Sequence, residues 1–119
     1  MIRRPPSLHP GAIERAANSL GWEVENIESA DSFFARLGGL AVRSPLLPSG
    51  KPRIVAFPAC DAIHTCFMRY PIDVAFIDHQ GSVLVLCQGV APWRFLSYPG
   101  AAAALERPSV LTAGPLCYA

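Results

Sequence analysis

Ile63-His64-Thr65-Cys66-Phe67-Met68-Arg69-Tyr70-Pro71-Ile72-Asp73-Val74-Ala75-Phe76-Ile77-Asp78 is the stretch whose reading decides the fold. Two β-type runs, Ile63 to Met68 and Asp73 to Ile77, flank Arg69-Tyr70-Pro71-Ile72, where Pro71 cannot donate to a sheet ladder. A third run, Ser82 to Cys87, follows Asp78-His79-Gln80-Gly81, with glycine where a tight turn needs a positive φ. The three runs predict an antiparallel β-meander over residues 63–87.

Upstream, Arg53 to Phe57 reads as a further strand, entered from a proline-rich loop that begins at Arg43. Trp22 to Ile27 alternates apolar and acidic residues, the grammar of a half-buried strand. Two short helices are expected. One runs from Ala12 to Leu20 with an apolar face of Ala12, Ile13, Ala16, Ala17 and Leu20, and Gly21 beyond its end. The other starts at Asp31-Ser32 and buries Phe33, Phe34, Leu37 and Leu40. Downstream, Ala101 to Glu106 holds four alanines. The six residues between Pro99-Gly100 and the Arg107-Pro108 break are too few for a stable helix, so a strand is expected.

Half of the 119 residues are apolar, and the 12 prolines are scattered, which favours short elements joined by many turns around one core. The formal charge is +1 with no run of like charges, so nothing points to nucleic acid or an anionic membrane surface. Met1-Ile2-Arg3-Arg4-Pro5-Pro6 has no apolar stretch behind its charges, and no run reaches the ~18 apolar residues of a transmembrane segment. A soluble cytoplasmic protein is expected.

Taken as a set, Phe34 to Leu40, Ile63-His64-Thr65 with Met68, Ile72 to Asp78 with Gly81, Pro92-Trp93 and Ala104-Leu105-Glu106 follow one ordered pattern. The pattern resembles the bacterial and archaeal family called domain of unknown function 192. The resemblance implies a small, mostly β (α+β), barrel-like antiparallel sheet with a packed helix, and it implies no reaction. It divides the chain into an amino-terminal arm and short helix over 1–21, a β-rich domain over 22–106 and an atypical tail over 107–119. In that tail, either Val110 to Thr112 substitutes for the family's closing strand or the carboxyl end is altered or truncated.

The polar residues of the decisive stretch supply the site candidates. His64, Thr65, Asp73 and Trp93 form a candidate ligand-binding pocket, with Trp93 as a stacking platform. A structural reading stands beside it: a core histidine bonded to a backbone carbonyl, an aspartate at a turn and a tryptophan plugging the core. Arg36, Asp78 and Gly81 are assigned structural roles, Arg36 by pairing with a carboxylate and the other two in the turn. A metal site using His64, Cys60 and Cys66 is the weaker alternative, because Cys-x5-Cys with one histidine between lacks a second ligand pair. No cofactor and no catalytic residue is assigned. Cys60, Cys66, Cys87 and Cys117 are expected as reduced thiols, Cys117 the reactive one.

The leading expectation is a non-enzymatic domain that binds a protein or small-molecule partner. A metal-assisted hydrolase using His64, Asp73 and a cysteine is the runner-up, and a secretion or pilus-assembly accessory factor is the third.

Overall fold

A computed structural model describes residues 7–30, 44–110 and 116–118. The hairpin read from the sequence is present. β4 (Ile72–Ile77) and β5 (Val83–Val90) pair antiparallel. Between them the Asp78 carboxylate accepts the backbone N–H groups of Gln80 and Ser82, each at 2.9 Å. Burial opposes ionisation of Asp78, but the N–H groups of Ser82 and Gln80, the neighbouring His79 and the Gly81 N–H together outweigh it and hold the carboxyl below its ordinary value.

The rest of the meander is not formed. The Ile63–Met68 run splits into β3 (Ala62–His64) and a turn, and β3 joins β6 (Phe95–Ser97) in a separate two-stranded sheet. The place beside β4 goes to β7 (Ala103–Pro108), which also pairs antiparallel with β2 (Ile54–Pro58). Every residue of β4 is buried, so its backbone groups need partners on both sides and its side chains need cover on both faces. The alanines of β7 suit that position, because small side chains let packed layers approach from either face.

The described strands form a six-stranded sheet in the order β1-β2-β7-β4-β5-β8, with β1 (Ile27–Ser29) and β8 (Leu116–Tyr118) at its edges. The β1–β2 pair is parallel and the other pairs are antiparallel. The fold is therefore mostly β with a mixed, open sheet, and the barrel-like closure expected above is not formed by these strands. Among the described residues no helix is long and apolar enough to cross a membrane.

α1 (Ala12–Leu20) covers one face of this sheet. Ala16 and Ala17 pack with Trp22, Ile54, Ala75, Ile77 and Leu105, and Gly21 ends the helix in the left-handed conformation with its N–H on the Ala17 and Asn18 carbonyls. The expected strand at Trp22 is a 3₁₀ turn at Val24–Asn26 instead. Local bonds explain it: the Asn26 N–H and side-chain amide both return to Glu23, and the Trp22 N–H bonds the Ala17 carbonyl. The opposite face buries Val55, Phe57, Val74 and Phe76 against Ile63 and Met68 of the small-sheet region. The second expected helix, with Arg36, lies outside the described residues.

The tail and its cysteine differ from their expected form. Val110 is exposed and lies in no strand, Leu111 and Thr112 lie outside the described residues, and the strand added to β5 is β8. The register sets Cys87 opposite Cys117 with Cα atoms 4.0 Å apart, and the two form a disulfide, while Cys60 and Cys66 are free. A separation of 30 residues hides such a pairing from the sequence.

Gly81 yields the first prediction. It sits at φ +94°, and a Cβ placed there would lie 2.3 Å from the Ala12 carbonyl oxygen at the start of α1. Gly81→Ala is expected to destabilise the protein by about 2–4 kcal/mol in urea denaturation, because both the backbone and the packing resist it.

Candidate functional site

Thr65 follows β3 and is fully buried. Its hydroxyl donates to the Ala91 carbonyl at 2.7 Å and accepts the Arg94 N–H at 2.8 Å. Its backbone N–H donates to the Arg94 carbonyl, and its carbonyl accepts the N–H groups of Trp93 and Met68. One residue thus holds two chain reversals together, the turn after β3 and the loop before β6.

Each reversal carries an aromatic residue in a conformation that side chains avoid. Phe67 has φ +67° and Trp93 φ +65°. For bulky residues the left-handed region costs roughly 1–2 kcal/mol apiece. Burial does not offset that cost, since Phe67 is 72% and Trp93 63% exposed. The two rings pack on each other, centroids 4.8 Å apart. Phe95, 72% exposed, stands on β6 opposite the exposed His64 of β3. The result is an aromatic surface lobe, held from beneath by Thr65.

Of the four pocket candidates, His64, Thr65 and Trp93 come together here. His64 is exposed, and its Nδ1 accepts the Cys66 backbone N–H at 3.2 Å. Asp73 is elsewhere. It is 1% exposed in β4, where its carboxylate accepts the Gly89 N–H at 3.1 Å and Arg107 Nε at 3.3 Å. Gly89, at φ +70°, sits where β5 bulges against β4, so Asp73 seals the bulge. The Arg107 guanidinium also lies over the buried Trp22 ring, 4.6 Å from its centroid. That places Asp73 on the helix-covered face, across the sheet from Thr65.

Sequence reasoning missed Phe67 and Phe95. Phe67 falls in a run that reads as a regular strand, and nothing in composition announces a left-handed turn. Trp93 and Phe95, two apart on a short run, were the readable signal.

An open depression of about 610 Å³ lies between α1 and the β4–β5 turn, lined by His9, Arg15, Ser19 and residues 80–83, and by none of the four pocket candidates. Cys60 Sγ donates to the Ala62 carbonyl. Among the described residues no three His, Cys, Asp or Glu side chains are grouped to hold a metal ion.

One buried acid is unaccounted for by any of these contacts. Glu106, on β7, is 4% exposed, and among the described residues no hydrogen-bond donor or ion-pair partner reaches its carboxyl. Burial pushes that carboxyl up to about 8. It lies on the face of Ala104, near the partly buried Tyr70, whose hydroxyl is pushed up first by burial and then by the charge of Glu106.

The family model of domain of unknown function 192, described as an uncharacterised ACR, matches residues 14–113. No curated protein matches the chain significantly. A crystal structure of a protein of unknown function from Novosphingobium aromaticivorans is similar in fold, with a TM-score of 0.58 and 20% sequence identity. The match covers 71% of this chain and 63% of that one, so this chain spans under two thirds of its neighbour's length.

Two predictions follow from the buried polar residues. Thr65→Val strands the Ala91 carbonyl and the Arg94 N–H and is expected to cost about 2–3 kcal/mol in urea denaturation, whereas Thr65→Ser keeps most of the stability. Glu106 gives a pH signature. Its folded value is raised above the ordinary 4.5, so its favourable contribution is complete below about 4.5 and is lost as pH rises through about 8. Wild-type stability is expected to fall by at most about 1.4 kcal/mol per pH unit across that window. Glu106→Gln removes the slope and is the more stable protein at pH 8, as denaturation midpoints across pH will measure.

Proposed function

We propose a recognition function for this chain, which belongs to the family known as domain of unknown function 192. Its contact surface is the aromatic lobe of Phe67, Trp93 and Phe95. The observation that carries this reading is the pair of left-handed aromatic residues whose rings stay exposed. Their strain gains no core packing, so a use outside the fold accounts for it best.

Composition narrows the partner. His64, Arg69 and Arg94 are exposed on the segments that form the lobe, against the single exposed acid Asp61. Aromatic anchors beside arginine are the usual centre of a protein contact. The partner we infer is an apolar polypeptide segment flanked by acidic residues.

The test uses an array of synthetic peptides with aromatic or aliphatic centres and aspartate or glutamate flanks, probed with wild type, Phe67→Gly and Trp93→Gly. Glycine accepts the left-handed backbone, so each variant is expected to keep its fold, with stability within about 1 kcal/mol of wild type. Binding to the acidic–apolar peptides is expected to weaken at least about tenfold in each. Peptide binding that ignores both substitutions, or no binding to any acidic–apolar peptide, overturns the reading.

A further inference from the structure

We infer that β8 is a redox-releasable strap over the outer edge of β5. The strand has only three residues, Leu116, Cys117 and Tyr118, all of them exposed. Among the described residues it pairs with β5 alone, through Leu86↔Tyr118, Cys87↔Cys117 and Gln88↔Leu116. Three exposed residues bury too little apolar surface to keep an edge strand docked. The Cys87–Cys117 bond therefore holds it, by closing a loop of 30 residues in sequence.

The two sulfurs differ in access. Cys87 is 6% exposed beneath β8, while Cys117 lies in the exposed strand. A dithiol reductant would attack the Cys117 sulfur as a thiolate. The Cys87–Cys117 bond breaks, and Cys87 leaves as a thiolate that takes up a proton. The second thiol of the reductant then attacks the mixed disulfide, leaving Cys117 as a thiol and the reductant as its own disulfide. Two electrons and two protons pass to the protein.

Release is confined to the edge. The order β1-β2-β7-β4-β5 does not depend on β8, so reduction uncovers the backbone of residues 86–88 and leaves the central strands paired. An uncovered edge is open to strand addition, so the bond controls whether that edge is closed.

The experiment combines thiol counting with amide exchange on the full chain, purified without reductant and measured before and after treatment with dithiothreitol. Two alkylatable thiols are expected in the denatured, unreduced protein, Cys60 and Cys66, and four after reduction. Exchange at residues 86–88 is expected to quicken at least about tenfold on reduction while β4 stays protected. Cys117→Ser should show the same fast exchange without reductant. Four free thiols before reduction would overturn the proposal, as would unchanged protection at 86–88. Loss of protection spreading into β4 would also overturn it, since the bond would then support the whole fold.

Discussion

A strand with no exposed residue has nowhere to leave a backbone group unpaired, and β4 is such a strand. Its burial requires a ladder on each side, supplied by β5 and β7, and cover on each face. The cover is α1 with Trp22 on one side and the small β3–β6 sheet with Met68 on the other. The one polar side chain β4 carries inward, Asp73, stays there because Gly89 and Arg107 both bond it. Where β5 bulges away from β4, the Asp73 carboxylate meets the freed Gly89 N–H. Most other features of the molecule are answers to the demands of this strand.

Glu106 and the Phe67–Trp93 pair both give up stability, and they differ in kind. Glu106 is a buried acid whose carboxyl is pushed up by its burial, and it loads the centre of the sheet with a pH-dependent penalty. Phe67 and Trp93 hold strained backbone at the surface. The Glu106 penalty falls within the layer that also takes in Tyr70, while the aromatic strain falls on two turns with no core to fill. That contrast separates a feature internal to the fold from one directed outward.

The lobe and the strap belong to different sheets. The lobe rides on β3 and β6, which touch the main sheet through Ile63, Leu96 and the Tyr98 ring stacked near Phe76. The strap lies along the far edge of the six-stranded sheet, on β5. Recognition and redox release can thus be tested separately, and the failure of one leaves the other standing.

Local chemistry made part of this legible in the residues alone. Pro71 and Gly81 bracketed β4 and its turn, the alanine spacing marked α1 with Gly21 at its end, and the short run after Gly100 read as a strand. Of the candidate site, His64, Thr65 and Trp93 could be named from polarity and aromatic character. Pairing was not legible: β3 beside β6, β7 beside β4, and Cys87 opposite Cys117 join residues about 30 apart in sequence, where no local preference chooses a partner. The same limit hid Phe67, whose left-handed turn exists because Thr65 binds a loop 26 to 29 residues downstream. The sequence by itself determined α1 and the segments of β2, β4, β5 and β7, because those preferences are short-ranged. The tertiary structure decided which strands meet and which aromatic rings face outward, because that depends on where distant backbone groups find hydrogen bonds.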